Sequence, residues 1–221
     1  MRQSMSSVTV RRVYDVTDAQ LEELASLFIL NMNDDLAAIS ICGGDRSLMG
    51  TMARAMIRAA TLDGEIYTAA EQSDRILGYA VWMPPGQDLL STPEQRKLGW
   101  DDFFEHVSQR GKDWFTKTYA TEVSAFMAGI FGPTGKVDSW YLNIIMVHPD
   151  YHRRGIATKL VDVVRSKAAA NGDTMALSTS STRNVPIYKA LHFDLVGEKM
   201  IPSPWGDWPL YVFIQKIAGT E

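Results

Sequence analysis

Short apolar runs rich in β-branched residues alternate along the chain with longer stretches whose apolar residues recur at helical spacing. Runs of this kind, bounded by turn-forming residues, indicate β-strands. The pattern predicts strands at residues 8–14, 64–70, 76–83, 140–147, 174–180, 193–201 and 210–217, with a hairpin turn at 72–74.

Helix signals lie between these runs. Thr17 stands three residues before Gln20, which predicts a capping box at the start of a first helix. Asp45 is expected to open a second helix to about residue 60, with a stripe of methionines facing the core. A third helix is predicted over 156–170, because Asn171-Gly172 is a strong helix stop. A short helix is predicted over 186–191.

The segment between the third and fourth predicted strands, residues 84–137, is polar, helical in character and rich in aromatic residues. We interpret it as a helical insertion in a single domain that spans residues 1–221. Its aromatic side chains either line a site or pack the segment onto the sheet, and we expect most of them to pack.

Charge, cysteine content and hydropathy exclude several classes of protein. The formal net charge of −4 argues against a general nucleic-acid surface, which is usually basic. The single cysteine, Cys42, excludes an intramolecular disulfide. No apolar run reaches the roughly 18 residues of a membrane span, and the first residues lack the apolar core of a secretory signal. We therefore expect a cytoplasmic protein with no nucleic-acid or membrane partner.

The stretch from residue 147 to 160 predicts a strand, a compact loop and a helix N-terminus, which together attract anions. Gly155 permits close approach of a ligand, and Ala157 is nearly as small. Arg153, Arg154 and Thr158 offer further donors to a phosphate. The alternative is an ordinary strand–helix connection with a solvated basic turn. The loop lacks both the Gly-Lys-Ser/Thr of a Walker A loop and the three glycines of a dinucleotide fingerprint.

His152-Arg153-Arg154-Gly155-Ile156-Ala157 resembles the Gln/Arg-x-x-Gly-x-Gly/Ala signature of the GNAT superfamily of N-acetyltransferases, with His152 in place of Gln or Arg. Residues 184–193 resemble the family's segment ending in Tyr-x-x-x-Gly-Phe. Tyr188 and Phe193 match that segment, and His192 replaces its glycine. Within the superfamily, the Arg-Asn-x-Pro-x-Tyr pattern of residues 183–188 is most similar to puromycin N-acetyltransferase-type and fungal small-molecule acetyltransferases.

The resemblance implies an α/β (α+β) fold: a mixed, mostly antiparallel seven-stranded sheet with splayed fourth and fifth strands and helices on both faces. It implies acetyl-CoA as cosubstrate. The four scattered histidines and one cysteine form no metal-ligand spacing, so we expect no metal. The pyrophosphate would lie on the loop from His152 to Thr158, which includes Ile156. The pantetheine arm would contact the backbone of Ile145, Met146 and Val147, and a backbone N–H of Ile145 or Val147 would face the oxyanion.

The resemblance also assigns candidate roles to side chains. Tyr188 is the candidate general acid, and a core tyrosine is the alternative. Asn184 is a candidate for contact with the pantetheine amides, for a helix cap, or for both. The general base stays open between Asp34, Asp35 and a water chain, and a solvated helix end is the alternative reading of the acidic pair.

The leading hypothesis is transfer of an acetyl group to a small-molecule amine by direct attack. A protein lysine or N-terminal acetyltransferase and a non-catalytic CoA-binding module are the alternatives. Trp205 and Trp208 either line the acceptor pocket or cap the sheet. Both a monomer and a homodimer fit the sequence.

Overall fold

The computed structural model describes residues 8–71, 74–132 and 135–216. Its strands are β1 (Thr9–Val13), β2 (Glu65–Ala70), β3 (Ile76–Met83), β4 (Ser139–Val147), β5 (Thr174–Thr179), β6 (Asp194–Ile201) and β7 (Trp208–Lys216). They form one sheet in the order β1-β2-β3-β4-β5-β7-β6. Among these described strands, only β4 and β5 pair in parallel. The predicted seven-stranded, mostly antiparallel sheet is therefore confirmed, and two residues of the predicted turn at 72–74 lie outside the described residues.

The helices differ more from the prediction than the strands do. They are α1 (Asp18–Met32), α2 (Leu36–Ile41), α3 (Met49–Asp63), α4 (Pro93–Arg96), α5 (Trp100–His106), α6 (Gln109–Trp114), α7 (Ala120–Phe131), α8 (Ile156–Asn171) and α9 (Val185–Ala190). A π-helical turn, Phe115–Tyr119, joins α6 to α7. No helix in the described part of the chain is both long and apolar enough to cross a membrane.

Local signals explain several helix ends. The Thr17 side chain accepts a hydrogen bond from the Gln20 N–H, and the Gln20 side chain bonds back to the Thr17 N–H, which confirms the capping box at the start of α1. Gly172 ends α8 with a positive φ of 71°, as its position after Asn171 predicts. The prediction at Asp45 is wrong in detail. Asp45 caps a short 3-10 turn, and α3 begins at Met49 and continues to Asp63.

Helices cover both faces of the sheet. On one face, α1 and α3 pack over β2, β3 and β4, and Met49 and Met52 are buried there as predicted. On the other face, α8 and α9 pack over β3, β4, β5 and β7. Farther along the first face, α6 and α7 pack over β6 and β7. β4 and β5 lie between these helical layers and border the candidate active site.

The β3–β4 segment (residues 84–138) contains helices α4 to α7. Phe103 and Trp114 are buried, and the Trp114 indole N–H donates to the Pro202 carbonyl at 2.7 Å. Gly197 leaves room for α7 against β6, because a Cβ at Gly197 would lie 2.4 Å from the Ile130 side chain. The expected packing of most aromatic residues is seen, while an insertion within a single domain remains a prediction.

Candidate active site

The two parallel strands at the centre of the sheet separate part-way along their length. Pairing of β4 with β5 runs from Ser139 opposite Thr174 to Leu142 opposite Leu177. Beyond this point β4 continues to Val147 without a partner on its β5 side. The backbone groups facing the gap are left for a ligand or solvent, because an unpaired strand edge retains its hydrogen-bonding capacity. Ile145, Met146 and Val147 lie along this edge, and their contact with a pantetheine arm stays a prediction.

A β-bulge lies where the cleft opens. In the pairing with β3, Val81 opposes Ile144 and Trp82 opposes Leu142, so Asn143 is the extra residue. The Asn143 amide donates to the Tyr141 carbonyl at 3.2 Å. The bulge interrupts the alternation of side chains between the two faces of the sheet, and it changes the direction of the backbone beside the gap. Sequence reasoning missed it, because the run of apolar residues contains no turn signal at this position.

The loop after β4 leads directly into α8. Gly155 caps that helix with a left-handed φ of 73°, and Arg153 before it has φ 60°. The first helical turn presents the backbone N–H groups of Ile156, Ala157 and Thr158, which have no acceptor within the helix. No other part of the described chain lies within 4 Å of where a Gly155 Cβ would stand. The helix start is therefore open to a ligand.

The charge of this loop is not neutralised by carboxylates. Among the described residues, neither Arg153 nor Arg154 forms an ion pair, and the Arg154 guanidinium lies 4.7 Å from the centre of the Tyr151 ring. Lys159 reaches the Val8 carbonyl at 3.4 Å. Lys167, by contrast, does not belong to this basic group, because its ammonium is bound to Glu65 at 2.7 Å. The two arginines and the α8 dipole together favour an anion.

The two histidines that depart from the family signature are accommodated without disturbing the fold. His152 Nε2 donates to the Val147 carbonyl at 2.9 Å, which ties the loop to the end of β4. A carbonyl only accepts, so Nε2 carries the proton. His192 adopts a left-handed φ of 65°, so the turn normally made by glycine keeps its conformation.

Tyr188 projects from α9 into the core on the α8 face of the sheet, where it is 7% exposed. Its ring packs 5.4 Å from the centre of Phe213. Burial raises the pKa of the Tyr188 phenol well above its usual value, so the hydroxyl keeps its proton at neutral pH. In the described chain this hydroxyl has no hydrogen-bond partner. The residue is thus a neutral donor with its proton uncommitted.

Asn184 stands just before α9. Its side-chain amide donates to the Thr179 hydroxyl at 2.9 Å and makes no capping bond to α9. Asn184 therefore occupies the N-cap position of α9, but its side chain does not cap the helix. The bond fixes Asn184 beside the last residue of β5, at the edge of the cleft, and the contact with pantetheine amides stays a prediction.

The acidic pair divides into two environments. Asp34 has a side chain that is 85% exposed and pairs with Arg46 at 2.7 Å, which confirms the solvated alternative for this residue. Asp35 caps α2 through the Ala38 N–H at 3.0 Å and accepts a hydrogen bond from the Ser180 hydroxyl at 2.6 Å. Because Ser180 follows β5, Asp35 brings α2 to the open end of the cleft. The 145-residue separation of this pair left no signal in the sequence.

The two tryptophans of the β6–β7 loop have different environments. Trp208 is 3% exposed and belongs to the core beneath α6 and α7. Trp205 is partly buried and covers Gly44, where a Cβ would lie 2.0 Å from the indole nitrogen. Trp208 therefore caps the sheet, which is one of the two roles that the sequence left open for it.

Metal ligands and surface hollows among the described residues bear on the chemistry and location of the site. No group of three or more His, Cys, Asp or Glu side chains in the described chain is placed to hold a metal ion. Two surface hollows lie away from the cleft, one between the start of α1 and the end of α3, the other beside His192. Neither hollow contains the loop before α8.

Comparison with known proteins tests the resemblance. A family model described as acetyltransferase (GNAT) family matches residues 49–193, which include β4, the loop, α8 and α9. The chain belongs to the acetyltransferase (GNAT) family. The predicted GNAT fold and the prediction of an acyltransferase enzyme are thereby confirmed.

Solved structures show the same fold at low sequence identity. A Corynebacterium glutamicum structure described as histone acetyltransferase HPA2 and related acetyltransferase is 19% identical with a TM-score of 0.62, covering 98% of this chain and 99% of its own. An aminoglycoside 6'-N-acetyltransferase in complex with coenzyme A is 15% identical with a TM-score of 0.54, covering 96% and 99%. NAA60 of Arabidopsis thaliana, solved with a bisubstrate analogue, is 13% identical with a TM-score of 0.53, covering 96% and 100%.

Proposed function

We propose that this GNAT protein is an acetyl-CoA-dependent N-acetyltransferase that acts on a small-molecule amine. The observation that carries the proposal is the continuity of the cleft with the start of α8. The unpaired edge of β4 leads through the loop of Arg153 and Arg154 to a helix N-terminus that is open above Gly155. An elongated ligand with an anionic end and amide groups fits these three features, and the aminoglycoside acetyltransferase of the same fold was solved with coenzyme A.

In this proposal the pyrophosphate accepts hydrogen bonds from the N–H groups of Ile156, Ala157 and Thr158, with both arginines adding charge. Gly155 keeps the backbone accessible. His152 holds the loop against the carbonyl of Val147, so it positions the loop.

The pantetheine arm occupies the gap beside β4 and pairs with the backbone of Ile145, Met146 and Val147 in place of the missing strand. The Met146 side chain is buried on the α1 face, so its backbone alone is available to the arm. Asn184, fixed by Thr179, contacts the pantetheine amides from the opposite wall.

Acetyl transfer follows by direct attack of a neutral amine on the thioester carbonyl. A backbone N–H of Ile145 or Val147 stabilises the oxyanion, and Tyr188 gives its proton to the departing thiolate. The raised pKa of Tyr188 keeps that proton available at neutral pH. Asp35 is the better placed carboxylate to receive the amine proton, because Asp34 is committed to the surface pair with Arg46.

The environment of Cys42 does not favour an acyl-enzyme intermediate on its sulfur. Cys42 is fully buried beneath α3, with its sulfur 3.9 Å from that of Met52. Burial raises the pKa of the Cys42 thiol to about 12, so the nucleophilic thiolate is scarce at neutral pH.

A small acceptor is favoured by the closure of the β3–β4 segment over one side of the cleft. Tyr141 stands on β4 beside the opening, yet it is only 5% exposed, with Lys136 of that segment lying over its ring. A puromycin N-acetyltransferase-type substrate preference rests on residues 183–188 alone. The protein-acetyltransferase alternative has relatives of the same fold, so the acceptor must be tested directly.

The test is a free-thiol assay with acetyl-CoA against a panel of small amines and of lysine-containing and N-terminal peptides. Turnover confined to small amines supports the proposal. Turnover confined to peptides favours the protein-acetyltransferase alternative, and coenzyme A binding without turnover on either set favours a non-catalytic module.

A further inference from the structure

An ion pair of the β3–β4 segment lies against the cleft and not on the outer surface. The Lys136 ammonium is 2.7 Å from Asp88 Oδ1 and 4.3 Å from the centre of the Tyr141 ring. The two charged side chains are only 26% and 28% exposed. The Asp88 carboxylate and the face of Tyr141 thus surround an alkylammonium group, the arrangement by which proteins recognise organic cations.

This cluster is joined to both strands that border the cleft. Tyr141 belongs to β4, two residues before the bulge, and its hydroxyl donates to Ser178 of β5 at 2.8 Å. Ser178 directly follows Leu177, the last β5 residue paired with β4. The cluster therefore lies at the closed end of the cleft, where the two strands begin to separate.

The electrostatics agree with this placement. Burial is the main cause of the raised pKa of Tyr141, and the Asp88 carboxylate and the Tyr188 phenol raise it further. Asp88 also raises the pKa of Tyr119, after burial. The Asp88 charge thus acts on two phenols, and the proposed acid Tyr188 is within electrostatic reach of Tyr141.

We propose that Asp88 and Tyr141 form an ammonium subsite of the acceptor, and that Lys136 occupies it until a substrate cation replaces it. The inference rests on the proposed function and names its substrate class: a di- or polyamine. One ammonium of the acceptor takes the place of the Lys136 ammonium, while its other amine, in neutral form, attacks the thioester.

The length of the acceptor follows from the strand. Tyr141 and Ile145 oppose Met83 and Ala80 of β3, which are three residues apart because the bulge at Asn143 shortens β4. This spacing corresponds to about 10 Å of extended strand. An amine held at Tyr141 therefore reaches a thioester near Ile145 only when several methylene groups separate its two nitrogen atoms. A long monoamine has the reach but lacks the second charge, which makes it a matched comparison.

The experiment compares KM for 1,8-diaminooctane and n-octylamine in the free-thiol assay. We expect the wild-type protein to prefer the diamine. Asp88→Asn should raise KM for the diamine roughly tenfold, since a partly buried charge pair is lost. Lys136→Met should lower that KM by a similar factor, because it removes the internal competitor. Neither variant should change KM for octylamine.

Lys117→Met is the control, because Lys117 belongs to a solvent-exposed pair with Asp113 in the same segment. Thermal unfolding of each variant separates a folding defect from a recognition defect, and the opposite directions expected for Asp88→Asn and Lys136→Met do not follow from destabilisation. Equal KM changes for both amines would overturn the inference. Coenzyme A binding without turnover of the diamine would also overturn it, whereas no coenzyme A binding would overturn the proposed function itself.

Discussion

Two glycines at the ends of α8 offer a matched test of the phosphate-binding loop. Gly155 has φ 73° and Gly172 has φ 71°, and at both positions an added Cβ would meet no atom within 4 Å. Substitution by alanine therefore creates no clash at either end. The cost is the left-handed backbone of a residue with a Cβ, about 1 kcal/mol at each position.

Gly155→Ala and Gly172→Ala should consequently lower the free energy of unfolding by similar amounts. In a chain of this length, about 1 kcal/mol lowers Tm by roughly 2–4 °C. Only Gly155→Ala should weaken coenzyme A binding, because its methyl group enters the open space above the first turn of α8. Loss of one or two phosphate hydrogen bonds at about 1.5–3 kcal/mol each predicts a fall in affinity of roughly tenfold to a hundredfold or more.

The assay is isothermal titration with coenzyme A beside thermal unfolding of the same samples. Gly155→Glu extends the series, since it adds a carboxylate where the phosphate would lie, and it should abolish binding. Equal affinity in all three variants would refute the assignment of the loop. An equal loss in Gly155→Ala and Gly172→Ala would instead attribute the effect to the stability of α8.

Three further outcomes follow from the structure. Tyr188→Phe should lower kcat at least tenfold with little change in coenzyme A affinity, because only proton donation is lost; equal losses in both would indicate a packing role. Glu65→Gln should lower the free energy of unfolding by about 2 kcal/mol, because the buried Glu65 carboxylate bonds Arg12, Lys167 and the Tyr67 hydroxyl. Chemical denaturation measures this change, and an unchanged midpoint would contradict it. Cys42 should resist a thiol reagent until the protein unfolds. Its folded-state pKa of about 12 lies above the unfolded value, so stability should be constant at neutral pH and fall as pH rises from about 9 towards 12; rapid labelling of the folded protein would contradict its burial.

Elements whose signals are local were predictable from sequence. The capping box at Thr17 needs only three neighbouring residues, and the stop at Gly172 needs only the conformational freedom of glycine. β3 is fully buried and reads as one continuous apolar run, so its bounds agree with the prediction at both ends. The loop before α8 was found for the same reason, since its strand, glycine and helix lie side by side in the chain.

Features that depend on distant partners were not predictable. The bond from Ser180 to Asp35 joins residues far apart in sequence, and nothing near Asp35 distinguishes it from the exposed Asp34. The bulge at Asn143 follows from the register with β3, which a single strand does not encode. Likewise, the ammonium of Lys136 meets Tyr141 only because the β3–β4 segment folds back on β4. The parts of the site that would select the acceptor are therefore those that the sequence left open.

The central claim is that the cleft between β4 and β5 and the open start of α8 bind acetyl-CoA. Isothermal titration of the purified wild-type protein with acetyl-CoA and with coenzyme A tests it most directly. We expect saturable binding of one molecule of either ligand per chain, with similar affinities, because most of the proposed contacts are to the pantetheine and pyrophosphate that both share. Absence of heat and of any ligand-induced rise in Tm would contradict the account.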